Sequence, residues 1–125
     1  MTAKEKPGPE IRSYRDLVAW QKAMDLCETI YRQTEDFPRN EAYGLTQQVR
    51  RAAVSVPSNI AEGWGRGCLG DYVRFLRTAR GSLFELETQV QLARRMGLLP
   101  EQQAKMLLRD SDECSRILQG IDCEP

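Results

Sequence analysis

Apolar residues recur every three or four positions along most of this chain, which is the spacing of one face of an α-helix. The first such stripe is Leu17, Trp20, Met24, Cys27, Tyr31 and Thr34. Ser13 and Asp16 have the spacing of a capping box, which predicts that a helix begins there. The run Asp36-Phe37-Pro38 predicts its end, because a residue that precedes proline is disfavoured in the helical region.

A second helix is expected from near Asn40, as its N-cap, to about Glu62. Its apolar stripe is Leu45, Val49, Ala52, Val56 and Ile60. Pro57 lies inside this segment and lacks the amide that would bond the carbonyl of Ala53, so we expect a kink between these two residues. An outright break at Pro57 would instead give five helices.

The most regular pattern lies in the third segment, where the apolar positions alternate steps of four and three residues without an error: Tyr72, Leu76, Ala79, Leu83, Leu86, Val90, Ala93 and Gly97. It predicts a helix of about 28 residues, roughly 42 Å long at the standard rise, that Gly97 and Pro100 end. A fourth helix, which should fray at Gly120, is predicted by the last stripe: Ala104, Leu107, Ser111, Cys114, Leu118 and Ile121.

Four amphipathic helices with short connections, and no segment of alternating polarity, predict an all-α fold. The expected architecture is an antiparallel up-down-up-down four-helix bundle with a kinked second helix. We expect a flexible N-terminal tail at 1–12, the bundle at 13–121 and a C-terminal tail at 122–125. Helices 1 and 3 also carry apolar residues away from their main stripes: Val18, Leu26, Ile30, Val73, Phe75 and Phe84. Such two-sided helices indicate either an interface between copies or a thicker core.

The chain has 125 residues, with 18 basic and 18 acidic side chains and a formal net charge of zero. The charge is uneven, because residues 39–95 carry nine basic and five acidic groups, whereas 96–125 carry three and six. Neutrality argues against a dedicated non-specific nucleic-acid binder but leaves room for a local arginine patch. With no apolar run of membrane-spanning length and no signal segment, we expect a reduced, cytoplasmic protein without membrane contact.

Several common chemistries lack their residues here. Histidine is absent, which removes the commonest general base and metal ligand. The four cysteines, Cys27, Cys68, Cys114 and Cys123, form no C-x-x-C pair. The segment 65–70 matches the dinucleotide pattern G-x-G-x-x-G, but it follows a helix instead of a strand, which favours a plain turn. We therefore predict no catalytic residue, cofactor or metal site, and no enzymatic activity.

Two sets of polar residues are candidates for binding. The first contains arginines, which suit planar contacts with phosphate: Arg50, Arg51, Arg66, Arg74, Arg77 and Arg80. They form either a nucleic-acid patch or ion pairs with nearby carboxylates, which are Glu62, Asp71, Glu85 and Glu87. The second set is a polar stripe on helix 2: Gln47, Arg51, Ser55, Asn59 and Glu62. It is either a packed polar interface, which its small neighbours would allow, or a solvent-exposed face.

Segments 14–24, 37–38, 41–45, 48–63 and 79–87 resemble a bacterial family of four-helix-bundle proteins encoded in intervening sequences of large-subunit ribosomal RNA genes. The resemblance extends over about residues 13–120. Its most specific parts are Asn59-Ile60-Ala61-Glu62-Gly63 and Gly81-Ser82-Leu83-Phe84-Glu85-Leu86. The chain is also similar to accessory proteins of diversity-generating retroelements, although those proteins are basic and this chain is neutral.

The resemblance implies a homopentameric ring of four-helix bundles with no established enzymatic activity. It also implies RNA, DNA or a nucleic-acid enzyme such as a reverse transcriptase as a partner, with Arg50, Arg51 and Arg80 at basic positions of the family pattern. Cys68 stands where Ser or Thr usually caps the third helix, which weakens that cap. The alternative is a structural or protein-interaction ring whose arginines serve its own interfaces.

Overall fold

The computed structural model describes residues 10–41 and 44–122 of the chain. These ranges contain four α-helices and no strand: α1 (Val18–Gln33), α2 (Leu45–Gly65), α3 (Leu69–Arg95) and α4 (Glu101–Asp122). Consecutive helices pack against each other, and α4 closes the arrangement against α1. The all-α class and the four-helix bundle are therefore confirmed, while the alternating helix direction and the kink at Pro57 stay predictions. No helix within the described ranges has the length and apolar character needed to cross a bilayer.

The predicted tails, 1–12 and 122–125, lie mostly outside the described residues, as does Cys123. The chain enters the bundle through a short 3-10 turn at Tyr14–Asp16. The predicted capping box is present, with the Arg15 amide donating to Ser13 Oγ at 3.1 Å and the Ser13 amide to Asp16 Oδ2 at 3.3 Å. It begins this turn and not α1, because Leu17 is extended, with φ −75° and ψ 128°.

The stripe predicted for α1 is not its buried face. The helix buries Ala19, Ala23, Leu26 and Ile30, whereas Met24 and Tyr31 are 43% and 41% exposed. Two neighbouring faces of this helix both have apolar residues at three- and four-residue spacing. The face with two alanines packs inward because small side chains let a neighbouring helix approach closely. Of the predicted stripe, Thr34 is buried, and the half-buried members at the edge of the core are Leu17, Trp20 and Cys27.

Helix α2 begins later than predicted. Asn40 lies in a separate 3-10 turn, Arg39–Glu41, and Gly44 is the N-cap of α2. The Glu41 carboxylate accepts a hydrogen bond from the Leu45 amide at 3.2 Å, so an acidic side chain satisfies the first turn in place of Asn40. The predicted stripe of α2 is confirmed, with its first member half-buried and the others buried: Leu45, Val49, Ala52, Val56 and Ile60.

Helix α2 continues through Pro57 without interruption, so the alternative of five helices is wrong. Near its end it comes close to α3 at Gly63. A Cβ atom at this glycine would lie 2.7 Å from Phe75 Cβ and 3.3 Å from Tyr72 Cδ1. The missing side chain of Gly63 therefore sets the spacing of α2 and α3 at this level.

Helix α3 follows its prediction closely, with 27 residues and these buried members of the stripe: Leu76, Ala79, Leu83, Leu86, Val90 and Ala93. Gly97 ends it in the left-handed region, with φ +78°. The Leu98 amide donates to the Ala93 carbonyl at 2.9 Å and the Gly97 amide to the Arg94 carbonyl at 3.0 Å. This pair of bonds is a Schellman motif, which satisfies carbonyls at the helix end.

The inward face of α4 is also confirmed, with its first five members buried: Ala104, Leu107, Ser111, Cys114 and Leu118. The helix continues through Gly120 to Asp122, and the fraying expected at Gly120 stays a prediction. The fully buried Ser111 donates its hydroxyl to Glu87 Oε2 of α3 at 2.7 Å. Burial raises the pKa of the Cys114 thiol to about 11, so it stays protonated at neutral pH.

The apolar residues outside the predicted stripes have different locations. Leu26 and Ile30 lie in the core, and Phe75 packs against the Gly63 backbone. Val18 and Phe84 are exposed. A thicker core accounts for some of these residues, and an exposed apolar surface is left for the others.

Substitution of Gly63 by alanine is expected to lower the free energy of unfolding by about 1–3 kcal/mol, because α2 and α3 must separate to admit the new methyl group. Urea denaturation monitored by circular dichroism measures this change. Gly65→Ala is the matched control, since a Cβ there meets nothing within 4 Å. That control should be neutral or stabilising by up to about 1 kcal/mol. Equal effects of the two substitutions would contradict the assigned role of Gly63.

Candidate functional site

Arg50 contacts the end of α1. Its Nε donates to Thr34 Oγ1 at 2.8 Å and its Nη2 to the Tyr31 carbonyl at 3.2 Å. The guanidinium also lies over the Tyr31 ring, 4.6 Å from the centroid. Carbonyls at a helix C-terminus lack intrahelical partners and carry partial negative charge, which a cation stabilises. Arg50 therefore joins α2 to the last turn of α1.

Arg66 and Arg74 converge on one aromatic ring beside the turn between α2 and α3. Their guanidinium carbons lie 5.0 Å and 6.0 Å from the centroid of the Phe75 ring. Each is paired with a carboxylate of its own segment, Arg66 with Glu62 at 3.1 Å and Arg74 with Asp71 at 3.0 Å. Exposed pairs of this kind contribute roughly 0–1 kcal/mol, so an external anion could replace either carboxylate at little cost.

The remaining arginines of the predicted set do not join this pair. Arg51 is exposed on the outer face of α2, about 100° around the helix from Arg50. Arg77 is exposed on α3, and Arg80 is half-buried, with its guanidinium 6.0 Å from the Phe84 ring. Both Arg77 and Arg80 interact with other groups of the subunit. The guanidinium groups of the predicted set therefore have different neighbours: Arg50 contacts α1, Arg66 and Arg74 share the Phe75 ring, and Arg80 lies beside Phe84.

The polar stripe of α2 divides into two parts. Ser55 Oγ lies 2.8 Å from Ser82 Oγ of α3, and Asn59 Nδ2 donates to the Ser55 carbonyl at 2.8 Å and to its Oγ at 3.0 Å. This central part is a packed polar contact between α2 and α3. Its other members, Gln47, Arg51 and Glu62, are exposed. Both interpretations of the stripe therefore apply, each to different residues.

The sequence placed Thr34 and Ser111 in inward stripes, but it did not predict that these two side chains and Ser82 join helices through hydrogen bonds. Ser82 belongs to the 81–86 segment of the family resemblance and meets the stripe that includes Asn59 of the 59–63 segment. The available signal was a small polar residue beside an otherwise apolar stripe. That signal gives no partner, because the partner lies on another helix.

The surface of the described residues includes an apolar cleft and a polar cleft. An apolar cleft of about 420 Å³ lies at the α2–α3 turn, with Trp64, Leu69 and Tyr72 among its walls. A polar cleft of about 150 Å³ lies between α1 and α4, where Lys22 pairs with Glu113 at 3.0 Å. Within 10–41 and 44–122, no group of three or more cysteine and carboxylate side chains is placed to hold a metal ion.

Large apolar side chains also point outward from three helices. They are Val18, Met24 and Tyr31 on α1, Val54 on α2, and Leu69, Phe84 and Leu92 on α3, with Ile11 before α1 and Met96 just after α3. The described part of α4 has no comparably exposed large apolar residue. Among the described residues, the exposed large apolar side chains therefore lie outside α4.

Substitution of Arg50 by alanine is expected to lower the free energy of unfolding by about 1–3 kcal/mol, because it removes two hydrogen bonds of a charged group at the end of α1. Arg51→Ala is the control on the adjacent, exposed residue and should change stability by less than about 0.5 kcal/mol. Chemical denaturation of both variants gives the comparison. An Arg50 variant as stable as the Arg51 variant would rule out the joining role.

A solved structure from Bacteroides thetaiotaomicron is similar to this fold. It is a protein of unknown function from the S23 ribosomal protein family, and it aligns with a TM-score of 0.77 and 21% sequence identity. The alignment covers 86% of this chain and 100% of that one. No protein with a curated description matches the sequence. At this identity the likeness establishes the shared fold.

The family model described as 23S rRNA-intervening sequence protein matches residues 15–120. This range runs from the entry turn into the last two turns of α4 and contains both polar helix contacts of α3. Neither this family description nor the structural neighbour names an enzymatic activity. The chain belongs to the 23S rRNA-intervening sequence protein family.

Proposed function

We propose that this protein is a cytoplasmic, non-enzymatic four-helix bundle that assembles with copies of itself, as a homopentameric ring, and serves as a binding scaffold. The observation that carries the proposal is the set of exposed large apolar side chains on α1, α2 and α3. Met24, Tyr31, Phe84 and Leu92 each leave over two-fifths of their surface in water. Met24 and Tyr31 on α1, and Phe84 and Leu92 on α3, provide two separate exposed apolar faces, and contiguous apolar surface of this kind marks interaction sites.

Assembly would remove this surface from water, at a gain of about 25 cal/mol for each Å² of apolar area buried. The absence of such residues from the outer side of α4, as far as the structure describes it, supports an orientation with α4 toward solvent. Homo-oligomers of this kind close when each contact repeats around an axis.

RNA is a second candidate partner, favoured by Arg66 and Arg74 beside the Phe75 ring. A guanidinium beside an aromatic ring is common on protein surfaces that bind nucleic acids. The family description also refers to an intervening sequence of 23S rRNA. Self-assembly ranks first because these arginines already have carboxylate partners and the net charge of the chain is zero. The alternative remains a ring without a nucleic-acid role.

The assembly is expected to have five times the 14.3 kDa mass of one chain. Size-exclusion chromatography with multi-angle light scattering, run over a range of protein concentrations, measures this mass. A single-chain mass at every concentration would overturn the proposed self-association. A stable mass equal to another multiple of the chain mass would support self-association but contradict the pentamer.

RNA binding through the Phe75 arginines is expected to weaken steeply between ~50 mM and ~200 mM salt, because bound phosphates release counterions. The double variant Arg66→Gln/Arg74→Gln should reduce the slope of log affinity against log salt by about 2. The matched control, Arg109→Gln/Arg116→Gln, removes two exposed arginines of α4. Gel-shift titrations compare the variants. The absence of any RNA complex at ~50 mM salt would contradict RNA binding by this protein.

A further inference from the structure

We propose that the copies associate through two different faces, with the outer face of α3 in one copy docking on the outer face of α1 in the next. This inference rests on the proposed self-association and names the surfaces that carry it. The partner that covers each face is a second copy of this chain. Three observations support this: the apolar content of the faces, their charge and the positions of the two helices in the bundle.

The outer face of α3 has the composition of an interface that another helix covers. Its exposed residues recur at three- and four-residue spacing: Arg74, Arg77, Gly81, Phe84, Thr88 and Leu92. Phe84 is 51% exposed and Leu92 is 48% exposed. An aromatic and an aliphatic side chain thus lie in line with two arginines on a surface that no element of the subunit covers.

Gly81 lies in the middle of this face and has no role within the subunit that requires glycine. A Cβ added there meets nothing within 4 Å, and the residue is not among those with positive φ. Glycine inside a helix costs about 1 kcal/mol relative to alanine. A glycine here would allow a neighbouring copy to approach the α3 backbone closely, which explains the absence of a side chain.

The outer face of α1 combines apolar residues with charges that balance, unlike the outer face of α3. Val18, Met24 and Tyr31 are exposed there, and Asp25 and Glu28 are exposed between them. Helix α1 contains two carboxylates and two cations, with Glu28 paired with Arg32, whereas α3 contains five arginines and three carboxylates. An apolar face without net positive charge favours α1 over a second α3 as the partner of the basic α3. Pairing α3 with α3 would bring the arginines of two copies together.

The two faces point away from each other. Among the described residues, α1 and α3 are not neighbouring helices: no Cα atom of one lies within 8 Å of a Cα atom of the other, whereas each packs against α2 and α4. They are therefore diagonal in the bundle, and their outer faces lie on opposite sides of the subunit. When the α3 face of one copy docks on the α1 face of another, the pair still has one free α1 face and one free α3 face. Further copies can therefore add in the same way until a ring closes.

Two variants each disable one face. Met24→Glu places a carboxylate in the apolar part of the α1 face, and Phe84→Glu does so in the apolar part of the α3 face. Both positions are exposed, so the bundle should keep its helical circular dichroism and its unfolding midpoint. Gln119→Glu, on the exposed side of α4, is the matched control and should assemble like the wild type.

The decisive measurement is the mass of each variant alone and of their equimolar mixture, by light scattering. Each variant alone should run as a single chain. The mixture should form a two-chain species, because the intact α3 face of Met24→Glu can dock on the intact α1 face of Phe84→Glu. If Phe84→Glu perturbs folding, Gly81→Leu replaces it as the α3 variant, since the added side chain meets no atom of the subunit near its Cβ.

Three results would overturn the inference. Variants that still form the wild-type assembly would show that these faces are not used. Single-chain variants whose mixture forms no two-chain species would show that the faces do not dock on each other. A wild-type chain that runs as a single chain would overturn the proposed self-association itself, and is thereby distinguished from the first two results.

Discussion

The close packing of α2 against α3 is the contact on which the rest of the bundle depends. At Gly63 no side chain separates the two helices, and further along Ser55 and Ser82 share a hydrogen bond. The other two helices are each joined to this pair by a polar contact as well as by the apolar core. Arg50 of α2 binds the last turn of α1, and Glu87 of α3 accepts the hydroxyl of Ser111 in α4. Core burial supplies the non-directional part of the stability, and these bonds set how each helix is placed.

The number of helices and the inward faces of α3 and α4 could be predicted from the sequence, because each has one strict apolar stripe. The inward face of α1 could not, because two stripes compete on that helix and the larger side chains lie on the wrong one. The start of α2 was missed for a local reason. Asn40 is a good N-cap residue, but the chain makes a separate turn there and Glu41 performs the capping. Helix ends depend on such local competition, whereas a long stripe averages over many residues.

The candidate site was harder to predict because position along a sequence says little about direction around a helix. Arg50 and Arg51 are adjacent, yet one lies against α1 and the other faces outward. The charge pattern correctly placed basic side chains in the middle of the chain. The sequence also named Glu62 and Asp71 among the possible partners, and they pair with Arg66 and Arg74 at the local helical spacings of four and three residues. The meeting of Ser55 with Ser82, in contrast, follows from tertiary geometry.

The polar outer surface of α4 has a consequence for how the net charge of the chain can change. Substitutions on this side disturb neither the core nor the contacts that place the helices, so carboxylates can accumulate there under weak constraint. Residues 96–125 carry six acidic groups and three basic ones, which offset the basic middle of the chain. The net charge of this chain can therefore change through substitutions on α4 while the arginines of α3 stay in place. A variant with a very different isoelectric point would keep the same core and the same contacts between helices.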